Sequence, residues 1–307
     1  MTFKLKLLIF LFFMAAVSVL WSSDFSRKLQ LQLKNQSTCP CERCFSKNDV
    51  LLRKHMRRSI EPFLTANTKL SEEDFKWWKH FQNERRNYSY YNATVHKLFQ
   101  IFPPVPDLKG PSSNKCRTCA VVGNSVNLKG SHYGPLIDFQ DIVIRMNFAK
   151  IKGYENDVGT RTTHRVMYPE SAVDLDNSTH LVLFPFKILD IEWAIKATTS
   201  TEIPQPGFFW QQVMVVNPAF MKYSHVVWLG KKGRYPSTGF MTFILALHIC
   251  DEIHVFGYGA DHKGNWSHYF EVLKNKKLRT GQHPGQHEYN ILKQMAEEKT
   301  IQFYTGR

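Results

Sequence analysis

The sequence is short of acidic residues. Of its 307 residues, 26 are Asp or Glu and 40 are Lys or Arg, which gives a formal net charge of +14. This imbalance favours an acidic partner, such as nucleic acid, an anionic membrane or a small anionic substrate. The chain has no internal repeat and no low-complexity tract, and its hydrophobic fraction of 43% argues against wholesale disorder. We therefore expect a folded protein with one large domain or two ordinary ones.

Two common nucleotide-binding signatures are also absent. There is no G-x-G-x-x-G fingerprint, which disfavours a dinucleotide ligand. No D-x-D pair stands at the end of a predicted strand, where it could hold a nucleotide-bound metal ion. A bound phosphate would then be neutralised by helix amides, hydroxyls, His or Arg. We therefore expect neither a metal nor a cofactor.

A single long apolar run lies at the N-terminus. Residues 7–21 (LLIFLFFMAAVSVLW) contain no charge and follow Lys4 and Lys6. The run is slightly shorter than the ~20 residues of an average membrane helix but suits a thin secretory membrane. The lysines predict a cytoplasmic start and a lumenal remainder. A cleaved signal peptide is the alternative, but the bulky end of Val17–Trp21 offers no small-x-small cleavage site, which favours an anchor.

These features predict four segments: a cytoplasmic tail at 1–6, a transmembrane signal anchor at 7–21, a polar stem at 22–38 and a lumenal domain at 39–307. A lumenal chain makes nucleic acid an unsuitable partner. Five N-glycosylation sequons fit this location; they begin at Asn35, Asn87, Asn92, Asn177 and Asn265.

Six cysteines fall in three groups: Cys39, Cys41 and Cys44; Cys116 and Cys119; and Cys250. In the cytosol, the two C-x-x-C spacings would indicate zinc ligands. In an oxidising lumen the same residues favour three disulfides, whose connectivity the spacing leaves open.

Short apolar runs alternate with helical patterns after Cys116. The predicted strands are 120–122, 142–146, 181–186, 213–216, 254–258 and 301–304. Between them, Ser237–Ile249 carries apolar residues at helical spacing, and 285–298 forms a second predicted helix. This alternation predicts a single α/β domain with a Rossmann-like sheet, in which ligands bind at the carboxyl ends of the strands.

Polar and small residues follow several of these strands. Gly123, Asn124 and Ser125 come after the first, and Asn147 comes after the second. Glycine lets a ligand approach the backbone, and amide side chains can bind a ribose, base or phosphate. Ser237 caps the next helix, whose free N-terminal amides favour an anion. On spacing alone, an ordinary turn and an ordinary cap remain the simpler interpretations.

Two histidines near the C-terminus, His283 and His287, have the spacing of a metal pair on a helix. Pro284 argues against that interpretation, because proline favours the first helical position and pushes the preceding residue out of the helix. His283 is therefore predicted at the helix cap. There the positive end of the helix disfavours imidazolium and leaves a neutral imidazole able to act as a base.

Four segments in this order resemble the motifs of the animal sialyltransferase family. Residues 116–161 are similar to its long donor-binding motif, and CDEIHVFGYGAD (250–261), with GRYPSTGF (233–240) before it, is similar to the short motif. HYFE (268–271) resembles the third motif. His283 with Glu288 resembles the last, a His followed by four residues and a Glu.

The resemblance implies a Golgi-membrane, single-pass type II enzyme with a GT-A-variant fold and a lumenal catalytic domain. It would transfer sialic acid from CMP-sialic acid to galactose, with inversion and without a metal. By this match His283 is the general base and His268 stabilises the departing phosphate. The residues expected at the donor site are Asn124, Asn147, Tyr235, Ser237, Thr238, Gly239 and Gly259.

Within the family, CPCERC, WWKHFQ and HYFE resemble the α-2,3 enzymes that act on Galβ1-3GalNAc of O-glycans and glycolipids. This match implies that Gln82 contacts the acceptor. It also implies disulfides between Cys39 and Cys44, Cys41 and Cys116, and Cys119 and Cys250.

The chain departs from the family pattern at two places. Val126 stands where the family usually has glycine, and a β-branched residue cannot adopt positive φ. The segment 198–212 is short and carries Glu202 where an aromatic residue is usual. These departures motivate one alternative, a catalytically weak homologue that binds nucleotide or glycan. A different nucleotide-sugar transferase, which uses a neutral sugar donor, is a further alternative.

Overall fold

The computed structural model describes residues 41, 49–81, 83–103, 115–199, 213–272 and 280–306. Its centre is a seven-stranded sheet in which every neighbouring pair is parallel. In chain order the strands are β1 (Thr118–Val122), β2 (Ile142–Met146), β3 (His164–Met167), β4 (His180–Leu183), β5 (Val213–Val215), β6 (Glu252–Phe256) and β7 (Gln302–Tyr304). The prediction of a single α/β domain with a Rossmann-like sheet is confirmed.

Both faces of the sheet are covered. Along β1, Cys119 and Val121 belong to one apolar cluster, whereas Ala120 and Val122 belong to a second cluster. All four side chains are buried. Successive residues of a strand point to opposite faces, so a strand buried on both sides must be apolar at consecutive positions. This explains the continuous apolar runs in the sequence.

The helices lie outside this sheet. In chain order they are α1 (Val50–His55), α2 (Glu72–Lys79), α3 (Tyr88–Ile101), α4 (Gly134–Phe139), α5 (Glu155–Val158), α6 (Ile188–Thr199), α7 (Pro218–Tyr223), α8 (Thr238–Ile249) and α9 (Gly285–Glu297). Helix α8 is the most deeply buried, because nine of its 12 residues are in the core. It packs against β1, β2 and β6.

Residues 49–103 pack against the β5 side of the domain. The indole of Trp78 in α2 donates a 2.7 Å hydrogen bond to the carbonyl of Pro185. Phe63 forms a bridge with Val216, and the amide of Leu64 donates to the carbonyl of Val215 at 2.8 Å. This segment therefore belongs to the same domain as the sheet.

The strand order is β5-β4-β3-β2-β1-β6-β7. Strands β1 to β5 follow one another outward from the centre of the sheet in one direction. The chain then crosses back, and β6 and β7 are added on the other side of β1. The connections on either side of the β1–β6 pair consequently run in opposite directions. In a parallel sheet such a reversal opens a crevice at the carboxyl ends of the two central strands.

Several strand bounds differ from the sequence predictions, and one strand was not predicted. Strand β4 ends at Leu183 rather than at 186, and Pro185 lacks the amide hydrogen that a strand would need. Strand β6 ends at Phe256, because Gly257 turns the chain at φ +68°. Strand β3 was not predicted, because His164 and Arg165 interrupt its apolar pattern.

Two of the expected disulfides are present, Cys41–Cys116 and Cys119–Cys250. The described residues place Cys41, Cys116 and Glu252 near one another, but the bond between the two sulfurs makes zinc ligation unsuitable. Cys39, Cys44 and the predicted anchor at 7–21 lie outside the described residues. Within the described part of the chain, no helix has the length and apolarity needed to cross a membrane.

Candidate active site

A cavity of about 430 Å³ lies at the crevice between β1 and β6. The loops after β1, β2 and β6 and the N-termini of α8 and α9 form its wall. Eight of the predicted site residues line it: Asn124, Asn147, Ser237, Thr238, Gly239, Gly259, His268 and His283. Residues far apart in sequence thus meet in one cleft.

Close backbone contact forms the floor of the cleft. A Cβ atom on Gly123 would lie 2.2 Å from the carbonyl oxygen of Gly257, so only glycine fits at that point. The amide of Ser125 donates to the same carbonyl at 2.9 Å, and its hydroxyl donates to the carbonyl of Gly259 at 2.7 Å. The ends of β1 and β6 are therefore locked together beneath any ligand.

Asn124 lies on this floor with half of its amide group unused. Its Nδ2 donates to the carbonyl of Met146 at 3.2 Å. Its Oδ1 is buried and has no hydrogen-bond partner within the described part of the protein. A buried acceptor without a partner is unfavourable unless a ligand supplies a donor. Asn124 is therefore prepared to accept a hydrogen bond from a bound molecule.

The loop after β2 is held in an unusual backbone conformation. Asn147 has φ +53° and Ala149 has φ +27°. The guanidinium of Arg165 donates to the carbonyls of residues 147, 148 and 149, and Ser171 donates to Oδ1 of Asn147 at 3.0 Å. These contacts offset the energetic cost of the strained loop. They also hold the Asn147 side chain in place in the wall of the cleft.

Positive charge is buried next to this loop. Arg145 is fully buried and donates to the carbonyls of Val158 and Arg161 and to the hydroxyl of Thr162. Burial lowers its pKa to about 10, which still leaves it protonated at neutral pH. The hydrogen-bond acceptors of Arg145 and Arg165 are neutral carbonyl and hydroxyl oxygens. The positive electrostatic potential of these two cations therefore favours an anionic ligand.

Ser237 joins the first turns of α8 and α9. Its hydroxyl caps α8 by accepting from the amide of Phe240 at 3.0 Å, and it donates to Oε2 of Glu288 at 2.6 Å. The amide of Ser237 donates to Oε1 of Glu288 at 2.7 Å. Burial raises the pKa of Glu288, while the two bonds from Ser237 lower it. Ser237 thus lines the cleft, but its hydrogen-bonding groups are already used.

His283 stands just before α9. That helix begins at Gly285 with Pro284 as its cap, so His283 lies one position further out than predicted. Nδ1 of His283 is 3.2 Å from the carbonyl oxygen of Tyr235. Since a carbonyl only accepts, Nδ1 must carry the hydrogen and Nε2 the lone pair. Burial lowers the pKa of His283, opposed by the bond to Tyr235; burial, rather than the helix end, thus favours the neutral form.

His268 also lines the cleft, and its Nδ1 faces a different group. Its Nδ1 is 2.8 Å from Oε1 of Glu271. Its backbone pairs with Ser125 in an isolated bridge, which holds the ring beside the end of β1. The structure therefore brings both predicted histidines to one cleft, where Nδ1 of one is hydrogen-bonded to a carbonyl and Nδ1 of the other lies 2.8 Å from a carboxylate oxygen.

A second cavity of about 140 Å³ adjoins the first and shares His283, Thr238 and Tyr168 with it. Tyr235, the remaining residue predicted at the donor site, lines this smaller cavity instead. Its ring lies edge-on to that of His283, with centroids 4.8 Å apart. Gln82 lies outside the described residues.

The charged wall of the smaller cavity was missed from the sequence. Lys187 pairs with Glu170 and lies 3.6 Å from the buried carboxylate of Asp190. Burial raises the pKa of Asp190 to about 6, although backbone amides bind it. Glu170 precedes β4, Lys187 follows it, and Asp190 lies in the first turn of α6. No local motif marks these residues, because the sequence there shows only an apolar run and a helical pattern.

The sequence model of Glycosyltransferase family 29 (sialyltransferase) matches residues 63–300. The chain belongs to this family. The predicted enzyme class, a sialyltransferase, is thereby confirmed.

Known sialyltransferases and solved sialyltransferase structures are similar to this chain over most of its length. CMP-N-acetylneuraminate-beta-galactosamide-alpha-2,3-sialyltransferase 1 of Mus musculus is 41% identical over 301 residues, covering 92% of this chain and 88% of the relative. The Sus scrofa protein of the same name is 42% identical, covering 88% and 82%. A crystal structure of a mammalian sialyltransferase in complex with Gal-beta-1-3GalNAc-ortho-nitrophenol has a TM-score of 0.77 and 42% identity, covering 88% of this chain and 100% of that one.

Proposed function

We propose that this sialyltransferase moves sialic acid from CMP-sialic acid to the 3-hydroxyl of terminal galactose in Galβ1-3GalNAc. The acceptors would be O-glycans or glycolipids, and the anomeric centre would invert. One observation carries the proposal: a half-buried histidine whose Nε2 is free to accept a proton lies where a larger and a smaller cavity meet. The α-2,3 relatives at about 40% identity support the choice of donor and acceptor.

The larger cavity suits the donor. Asn124 offers an unused acceptor to the nucleotide, and the N-terminus of α8 offers amides to the phosphate. Arg145 and Arg165 add positive potential beside the Asn147 loop. CMP-sialic acid carries a phosphate and a carboxylate, so these groups match its charge.

The smaller cavity suits the acceptor galactose. Aromatic rings of Tyr168, Phe186 and Tyr235 and the polar groups of Glu170 and Lys187 line it. A mainly aromatic wall with a few placed polar groups is typical of a site for a small polar ligand. A sugar bound there would have a hydroxyl near His283.

The reaction follows from these positions. Neutral His283 takes the proton of the galactose hydroxyl as its oxygen attacks the anomeric carbon of sialic acid. The bond from that carbon to the phosphate oxygen breaks, and CMP leaves with the electron pair. His268 stabilises the charge that develops on the phosphate. Attack from the face opposite the leaving group inverts the centre.

The proposed reaction uses no metal ion. The described residues that line the larger cleft include one carboxylate, Glu288, and both of its oxygens already accept hydrogen bonds from Ser237. A divalent cation bound to a nucleotide would require further oxygen ligands. The donor set therefore suits hydrogen bonding to the substrate rather than metal binding.

We also propose that the protein is anchored in the Golgi membrane with its catalytic domain in the lumen. The apolar run at 7–21 and the two disulfides support this location, because disulfides persist in an oxidising compartment. A cytosolic distribution of the tagged full-length chain would contradict it.

The test is a transfer assay with CMP-sialic acid and Galβ1-3GalNAc in the presence of a chelator. We expect α-2,3-linked product from the wild type and a loss of about 10² to 10⁴-fold in His283→Ala. The matched control is His287→Ala, which alters a histidine four positions further on that does not line the cleft. Equal and near-zero rates for wild type and His283→Ala would instead indicate a binding protein, and product from a neutral sugar donor would indicate a different transferase.

A further inference from the structure

The third motif contains a carboxylate to which the transfer reaction assigns no task. Glu271 contacts His268 twice: Oε1 lies 2.8 Å from Nδ1 of the ring, and Oε2 accepts from the backbone amide at 3.3 Å. The amide of Glu271 in turn donates to the carbonyl of His268 at 3.2 Å. One short turn thus holds both the ring and the backbone of His268 against the same carboxylate.

Aromatic packing fixes the plane of this ring. Phe270 stacks on His268, with centroids 5.3 Å apart and planes 19° apart. Phe148 lies edge-on to Phe270 at 5.5 Å. Because Nδ1 faces Glu271 at 2.8 Å, Nε2 is the ring nitrogen left for a ligand in the cleft that His268 lines.

The two cleft histidines therefore differ in what their Nδ1 atoms contact. Nδ1 of His283 faces a neutral carbonyl, and Nδ1 of His268 faces a carboxylate. A neutral imidazole carries one hydrogen, so it can donate from one nitrogen while the other accepts. To donate to Glu271 and to a phosphate oxygen together, His268 must carry both hydrogens. The negative charge of Glu271 compensates that cation.

We infer that Glu271 is a positioning residue that holds His268 as a double hydrogen-bond donor, so that Nε2–H is directed at the departing phosphate. This inference rests on the proposed transfer reaction. When the bond between the anomeric carbon and the phosphate oxygen breaks, the phosphate gains one negative charge, which this N–H stabilises. The hydroxyl proton goes to His283, and Glu271 gains or loses no proton.

The kinetic test compares Glu271→Gln with wild type. The amide keeps the size of the side chain but removes its charge. We expect kcat to fall about 10²-fold with the acceptor KM unchanged, and the loss to shrink as pH is lowered from about 7.5 to 5.5, where solution protons supply the imidazolium. Glu271→Asp should recover part of the rate. The matched control is Glu252→Gln, which removes a carboxylate 3.1 Å from His254, a histidine outside the cleft.

A double-mutant cycle separates positioning from a structural role. In a His268→Ala background, Glu271→Gln should have little further effect, since the residue acts through His268. Additive losses, or the same loss at every pH, would overturn the inference.

A second readout does not need turnover. In the ¹⁵N NMR spectrum of the protein alone, both ring nitrogens of His268 should carry a hydrogen, and Glu271→Gln should leave Nε2 without one. An unchanged spectrum would overturn the role of Glu271 even if transfer is intact. A wild type with both hydrogens on the His268 ring but no transfer would contradict the proposed function instead.

Discussion

Two effects set the tautomer and the protonation state of His283. The carbonyl of Tyr235 decides which nitrogen carries the hydrogen, and the surrounding protein removes the water that would stabilise the charged form. Neither effect requires an acidic partner. A base of this kind is neutral at rest and gains its charge only while the acceptor hydroxyl loses its proton.

The pH dependence of the rate should reflect this environment. Because burial lowers the pKa of His283 from its ordinary value of 6.5, the base remains unprotonated at pH values where an exposed histidine would already be charged. We expect the acid limb of kcat/KM to have its midpoint below 6.5. The measurement is a pH–rate profile of wild type beside His287→Ala, which should give the same limb. A midpoint at or above 6.5 would show that His283 is not the base or is not desolvated.

Val126 shows how a residue that departs from a family pattern can be harmless. A branched side chain would be excluded from a position with positive φ, but Val126 begins a short 3₁₀ helix, Val126–Leu128, and is absent from the described residues with positive φ. Its amide donates to the carbonyl of Ser267 at 2.9 Å. The loop therefore needs no glycine there, and one argument for a weakly active homologue disappears.

At the scale of secondary-structure elements, the cleft depends on the junction between α8 and α9. Ser237 caps α8, and the buried Glu288 of α9 accepts two hydrogen bonds from it. The two helix N-termini are consequently fixed relative to each other. A change at this junction should move Thr238 and Gly239 on one side and His283 on the other.

Ser237→Ala tests this junction against a matched cap. It should lower the free energy of unfolding by about 1–2 kcal/mol, because it removes the cap and one partner of Glu288. Ser71→Ala removes the cap of α2, which accepts from the amide of Asp74 at 3.0 Å, and should cost about 1 kcal/mol. We expect only Ser237→Ala to raise the donor KM. Urea denaturation and initial rates measure the two effects; an equal change in KM would disprove the special role of the junction.

The sequence predicted the elements that have a strong local pattern. Strands β1, β2 and β5 and helices α8 and α9 follow from apolar runs and apolar periodicity. Strand β3 could not be recognised in this way, since His164 and Arg165 are buried through tertiary contacts that no local pattern records.

The candidate active site could also be predicted only in part, because local sequence patterns do not record tertiary contacts. Motif resemblance located the residues of the larger cleft, whereas the smaller cavity, with Lys187 and Asp190, arises only when β4 and α6 meet the loop before α8. The partner of His283 was also beyond prediction, because the carbonyl of Tyr235 reaches it from 48 residues away.

For the whole molecule, the two described disulfides stabilise distant connections. Cys119 in β1 is bonded to Cys250, 131 residues further along, immediately before β6. The bond joins the amino ends of the central strands, at the edge opposite the cleft. It therefore helps to hold together the pair of strands that forms the floor of the site.

Replacing both cysteines of this pair by alanine should lower the free energy of unfolding by about 4–5 kcal/mol, because the unfolded chain regains the entropy of a long loop. The pair Cys41 and Cys116, which closes a 75-residue separation, should give a comparable or slightly smaller loss. Denaturation of the lumenal domain under non-reducing conditions measures both. A loss below about 1 kcal/mol for Cys119→Ala/Cys250→Ala would contradict this expectation.

The parallel arrangement of all seven strands also governs how the enzyme is made. Neighbouring parallel strands cannot be joined by a tight turn. Strand β6, which pairs with β1, is therefore synthesised only after most of the chain has left the ribosome. Until then one edge of β1 remains open to unwanted pairing. Catalytic competence should therefore appear late in biosynthesis, and a nascent chain that stops before β6 would expose an aggregation-prone sheet edge where the finished enzyme has β6.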